Sequence, residues 1–239
     1  MTRWLVVGIS GATNSGKSTV TRKLLGGLPS TSRLICQDDY FYPEDSPHHI
    51  PCPGGVSHHN WEIISSLDMN KMMEDVLEIV ESCPEPVNEA PVPKSVSNKI
   101  SFSSCVSDYN TKDLPVLLLD GFLIFGHRKL AEMCDLRYFL TMTREPCWER
   151  RKCRAYDPPD PPGYFEHCVW PEYESHLKHV KESVPNVVFL NGMEDHYSTI
   201  YQQVKATSTL DTSACISKGQ LLHYNTVVQG LERKNYTQL

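Results

Sequence analysis

The sequence predicts an α/β domain, a three-layer fold with a five-stranded parallel sheet, helices on both faces and a helical lid. Three observations predict it: a continuous apolar run at Trp4–Ile9 that enters a glycine-rich turn, further short β-favouring runs alternating with helical patterns, and an arginine-rich segment followed by a proline-rich loop. Its 239 residues, 40% of them hydrophobic and 22% charged, suffice for one sizeable core. The formal net charge of −6 excludes a surface built to neutralise many phosphates, so no nucleic-acid partner is expected.

The run at Trp4–Ile9 reads as a strand buried on both faces. Further strands are predicted at Arg33–Cys36, Pro115–Leu119, Leu136–Leu140 and Val187–Leu190. Asp68 caps a helix reaching Glu81, with Leu67 and Met72 as its hydrophobic staple. Thr143 caps another, predicted to run to about Tyr156 because Pro158 disfavours helical geometry just before it. Residues 43–60, with four prolines and four histidines, read as a loop. Residues 84–113 read as a long mobile insertion, and the chain after about 207 as a polar, weakly ordered tail in which residues 221–231 could form a short helix. The apolar run near the N-terminus is too short for a signal peptide or a membrane span, so a cytoplasmic protein without a membrane partner is expected, and a monomer. The nine cysteines show no CxxC pair and read as reduced, structural thiols. The irregular spacing of His48, His49, His58 and His59 suits a surface loop better than a metal site.

The first chemical signal is Gly11-Ala12-Thr13-Asn14-Ser15-Gly16-Lys17-Ser18, which fits GxxxxGK[ST]. The two glycines let successive amides point inward as a nest for phosphate at a helix N-terminus. Lys17 supplies a point charge for the β- and γ-phosphates, and Ser18 a hydroxyl for a bridging Mg2+. The motif lies between an apolar strand and the amphipathic stretch Thr19–Leu25, the context a working P-loop requires. The predicted fold is therefore that of a P-loop NTPase. Asp120, closing the run Val116–Leu119, sits at the rim where such folds bind ligands, and can hold Mg2+.

The acceptor side begins with Asp38-Asp39 after the second strand. Asp38 is the candidate base for an attacking hydroxyl, on a strand read as neighbouring the P-loop, and Tyr40 and Phe41 could flank a planar ring. In Glu149-Arg150-Arg151-Lys152-Cys153-Arg154, Arg150 and Arg154 share one helix face while Arg151 points about 100° away. One face would clamp triphosphate and the other reach the acceptor. The stiff Asp157-Pro158-Pro159-Asp160-Pro161-Pro162-Gly163 that follows suits a closing lid, which excludes water and brings positive charge onto the phosphates. No NKxD motif is present to specify guanine.

GISGATNSGKSTVTRKL, CQDDYF, LLLDGFLIF, and above all RRKCRAYDPPDPPGYF followed by VWPEY, resemble the nicotinamide riboside kinases, which are similar in fold to uridine kinases. The resemblance spans most of residues 4–205. It implies ATP-dependent, Mg2+-requiring phosphorylation of the 5′-hydroxyl of nicotinamide riboside, and of nicotinic acid riboside, in NAD biosynthesis. Residue by residue, it implies Asp38 as base beside Lys17, and an ATP site of residues 11 to 19 (Gly11, Ala12, Thr13, Asn14, Ser15, Gly16, Lys17, Ser18, Thr19) with Arg150 and Arg154. It implies a riboside site of Asp38, Asp39, Tyr40, Phe41, Trp61, Glu62, Arg151, Tyr156, Asp157 and Asp160. Ser18, Asp38 and Asp120 are the expected metal set. Relatives usually carry an aromatic-Asp pair where this chain has Trp61-Glu62, a side chain one methylene longer. The implied domain is 1–207, with the lid at about 144–165 and the tail at 208–239. The alternatives are a uridine or cytidine kinase, and an adaptor that keeps the P-loop only as a fold element.

Overall fold

The first strand, β1 (Leu5–Gly11), is buried at every residue, and the sheet is built outward from it. The structure, a computed structural model, describes residues 3–84 and 113–210; the expected insertion falls almost wholly, and the expected tail largely, outside the described residues. The described strands are β1, β2 (Arg33–Cys36), β3 (Val116–Asp120), β4 (Leu136–Thr141) and β5 (Val187–Asn191). All their pairings are parallel, in the order β2-β3-β1-β4-β5. The five-stranded parallel sheet expected from the sequence is therefore present. The strand carrying Asp38 at its end is not the neighbour of β1, however, because β3 lies between them. Register aligns Ile9 with Asp120, and Cys36 with Asp120 on the other side, so the ends of β1, β2 and β3 share one rim.

Alternate residues of β1 enter opposite cores, as the two-residue period of a strand requires. Trp4 and Val6 pack with Met72 and Val76 of α2 (Met69–Glu81), Leu130 of α3 (Arg128–Met133) and Val180 of α5 (Trp170–Ser183). Leu5, Val7 and Ile9 pack with Val20 and Leu24 of α1 (Lys17–Gly27) and Ile200 and Val204 of α6 (Tyr197–Leu210). Helices thus cover both faces.

Asp68 caps α2 as expected, its carboxylate accepting the Lys71 N–H at 2.9 Å, and Leu67 and Met72 are buried in one cluster. The helix expected from Thr143 to Tyr156 is shorter: α4 spans Arg144–Arg151, and Thr143 makes no side-chain cap. Local sequence contains no breaker before Pro158. Beyond Arg151 the backbone turns, the Arg154 N–H bonding the Arg151 carbonyl at 3.0 Å, and Arg154 and Tyr156 reach Asn14 of the P-loop. Arg150 and Arg154 consequently do not share a helix face. After the proline loop the chain makes a five-residue π-helical turn, Phe165–Val169, and continues into α5. Cys168 of that turn meets Cys52 of the 43–60 loop, Sγ to Sγ at 2.7 Å. The loop itself is pinned by a bridge between Pro51 and His59 and by the Asn60 N–H to Ile50 oxygen bond.

Candidate active site

Gly11 adopts φ +130°, and a side chain there would collide with the Leu140 backbone, so only glycine lets β1 turn into the loop beside β4. Gly16, at φ +91°, caps α1 without any side-chain bond. The Thr19 N–H bonds the Gly16 carbonyl at 3.1 Å, so it is the Lys17 and Ser18 amides of α1 that are left for a ligand, as an anion site at a helix N-terminus needs. Lys17 is buried, and its Nζ donates to the Ala12 carbonyl at 2.6 Å. Burial lowers its pKa, opposed by the nearby Asp120 and Asp38.

Asp120 is also buried. Its Oδ2 accepts from Thr21 Oγ1 at 3.2 Å, while Oδ1 has no partner among the described residues. Burial raises its pKa, and Lys17 and the Ser18 hydroxyl pull it back. A hydroxyl beside a carboxylate with one buried, unsatisfied oxygen is an all-oxygen donor set, which suits a hard divalent cation such as Mg2+ completed by phosphate and water oxygens. Among the described residues no group of three or more His, Cys, Asp or Glu side chains could hold a metal alone, so the histidine-rich loop forms no such centre.

A cavity of about 600 Å³ extends from this cradle. Thr13, Asn14, Gly16, Lys17, Ser18 and Thr19 line one end, with Gly11, Ala12 and Ser15 buried behind them. Asp38 and Asp120 line it too. Asp38 lies within electrostatic reach of Lys17, of Asp120 and of Glu62. Gln37 holds the rim together: its Oε1 accepts the Leu123 N–H at 2.8 Å, and a Cβ on Gly121 would strike its side chain. Thus the turn bearing Asp38 is tied to the turn after Asp120.

Residues Gln37–Tyr40 form a 3₁₀ turn, in which side chains three apart share a direction. Asp38 of the turn and Phe41, the extended residue that follows it, both line the cavity. Asp39 and Tyr40, expected in the riboside site, are not among the residues that line it. Tyr40 instead donates to Asp75 of α2 at 2.8 Å, and burial followed by that bond raises its pKa.

The other end of the cavity is walled by Phe41, Trp61, Glu62, Arg151, Tyr156, Asp157 and Asp160. Arg151 is 4% exposed. Its Nε donates to Asp160 at 2.6 Å and its Nη2 lies 3.0 Å from Glu62, with the guanidinium 4.3 Å above the Tyr156 ring. Burial works against the Arg151 charge, but Glu62 and Asp160 hold its pKa above the ordinary arginine value. Glu62 is pushed up by burial and drawn down by Arg151.

α4 and the segment after it meet the P-loop through Asn14. Its Nδ2 donates to the Tyr156 hydroxyl at 3.0 Å, its carbonyl accepts from Arg150 at 3.0 Å and its Oδ1 from Arg154 at 3.5 Å. Arg154 lines the cavity; Arg150 sits outside its lining, bound to the Asn14 and Gly192 carbonyls. Sequence reasoning missed Tyr42, Glu44, His58 and Tyr164, which also line the cavity. Only the clustering of histidines and the PGYF string hinted at two of them.

No family model matches the chain. Among curated proteins it is 36% identical over 198 residues to nicotinamide riboside kinase 2 of Mus musculus, covering 83% of this chain and 92% of the relative. It is equally 36% identical over 203 residues to nicotinamide riboside kinase 1 of Rattus norvegicus, covering 84% and 93%. The chain belongs to the nicotinamide riboside kinase family. A uridine kinase of Chlamydia pneumoniae stands further off, at 24% identity over 178 residues and 74% of each chain. Membership in the nicotinamide riboside kinase family makes the chain a phosphotransferase, and gives the P-loop, lid and intervening cavity a common context. No helix of the described residues is long and apolar enough to cross a membrane.

Proposed function

We propose that this chain transfers the γ-phosphoryl group of ATP to the 5′-hydroxyl of nicotinamide riboside, and of nicotinic acid riboside, forming the mononucleotide used in NAD biosynthesis. The observation that supports it most is one cavity holding the P-loop at one end and the Trp61-Glu62-Arg151 wall at the other, with Asp38 in electrostatic reach of both Lys17 and Glu62.

In this reading the amides of residues 13–18 and the Lys17 ammonium hold the triphosphate, Lys17 leaving the Ala12 carbonyl to do so. Ser18 and Asp120, with Asp38 in electrostatic reach, would hold Mg2+, which would supply positive charge to the phosphates. Glu62 and Arg151 have the polarity to bind neighbouring ribose hydroxyls, one accepting and one donating. Trp61 and Tyr156 offer aromatic faces to a planar ring. The 5′-oxygen attacks the γ-phosphorus, its bond to the β-phosphate oxygen breaks, ADP leaves, and the hydroxyl proton passes to Asp38. Arg154 places charge beside the phosphates while the lid, at about 144–165, excludes water. The protein acts on a small nucleoside without a nucleic-acid partner, in the cytoplasm and as a monomer.

Purified protein given ATP, Mg2+ and a panel of ribosides tests this. Mononucleotide should form from nicotinamide riboside. Turnover of uridine or cytidine with none of nicotinamide riboside would place the chain with the pyrimidine nucleoside kinases.

A further inference from the structure

Tyr164 is the last residue before the π-helical turn, and it is reached through Gly163 at φ +84°. It is 1% exposed, yet it lines the cavity. Three contacts converge on it. Its hydroxyl oxygen accepts the backbone N–H of Trp61 at 3.1 Å; its ring stands edge-on to His58 with centroids 4.9 Å apart; and the Arg151 guanidinium lies 5.5 Å from its centroid. The first two belong to the loop that carries Trp61 and Glu62, the third to the end of α4. A buried phenol is well suited to this role. Burial, and then the negative charge of Glu62, keep it neutral, so the oxygen remains a steady acceptor at working pH.

We infer that Tyr164 is a positioning residue for the acceptor: it fixes the Trp61 backbone and the Arg151 side chain against each other, so that the wall facing the riboside keeps its shape. None of these three contacts is with the phosphate cradle, which it reaches only at one remove through the Arg151 bond to Thr13, so its influence falls first on the acceptor. The inference rests on the proposed reading of the cavity as a riboside site, but not on which riboside enters.

The test is Tyr164→Phe, which preserves the ring and removes the oxygen, leaving the Trp61 N–H without its partner. Wild-type protein is first run on nicotinamide riboside, uridine and cytidine, which decides the function independently. The variant is then compared on whichever acceptor the wild type uses. The KM for that acceptor should rise about tenfold, with the KM for ATP within about twofold, and exchange of the Trp61 amide with deuterium should quicken. An unchanged acceptor KM overturns the inference. So does a variant that loses its thermal transition or weakens ATP and acceptor alike, since Tyr164 would then be a core residue only.

Discussion

The Glu62 carboxylate lies 3.0 Å from the Arg151 guanidinium, joining the loop below the cavity to the end of the lid helix. Both side chains are largely buried, at 12% and 4% exposed. Arg151 keeps a second carboxylate in Asp160, so loss of Glu62 does not strand its charge.

For that reason Glu62→Ala should fold, and its effect should appear in acceptor binding. The KM for nicotinamide riboside is expected to rise roughly ten- to a hundredfold, the loss of a charged hydrogen-bonding group, while the KM for ATP stays put. Glu62→Asp, which keeps the charge on a side chain one methylene shorter, should recover most of this. Steady-state kinetics with each substrate varied in turn checks both; an unchanged riboside KM in Glu62→Ala would remove Glu62 from the site.

Asp38 is assigned the proton of the attacking hydroxyl. Asp38→Ala should lower kcat by about 10²- to 10⁴-fold, the ordinary worth of a general base, with ATP binding retained. Titration calorimetry with a nonhydrolysable ATP analogue separates the two effects. Full turnover in this variant would refute the assignment.

Asp120 presents a buried oxygen without a partner among the described residues. Asp120→Asn should raise the Mg2+ concentration giving half-maximal turnover roughly ten- to a hundredfold. A Mg2+ titration of rate at saturating ATP reads this directly, and superimposable curves would argue against a metal role.

His176 of α5 packs against Phe139 at 5.7 Å and near His179 at 6.4 Å, and its Nε2 is buried without a partner among the described residues. Burial, with the neighbouring His179 and then Lys17, lowers its pKa from 6.5 to about 4. The folded state therefore binds this proton less readily than the unfolded chain. Its contribution is complete above pH 6.5 and is lost as pH falls through 4, on the order of 3 kcal/mol. His176→Leu should flatten the fall of Tm between pH 7 and pH 4.5. Parallel Tm curves for wild type and variant would exclude His176 as a source of acid sensitivity.

The cradle was legible because its chemistry is local: Gly11 to Ser18 must be contiguous to wrap a phosphate, and Asp120 closes an unmistakable buried strand. The acceptor wall was legible only through resemblance, since Trp61, Glu62 and Asp160 meet from segments a hundred residues apart in order of magnitude. Tyr40 was expected beside its neighbours Asp38 and Phe41 because adjacency in sequence does not announce its bond to Asp75, a residue of a separate helix. The end of α4 was misplaced because the turn after Arg151 goes with contacts of Arg154 and Tyr156 to Asn14, far away in sequence, which no local pattern announces. Tyr164 carried no signal at all beyond its place in a proline-glycine string.

The Lys17 ammonium rests on the carbonyl of Ala12, five residues back along the chain. The mould for an anion is thus braced by its own cation, whose flexible stem can swing while the backbone set by Gly11 and Gly16 keeps its shape. Recognition at this end should proceed with little rearrangement of the main chain, leaving the slower adjustments of the catalytic cycle to the arm above it.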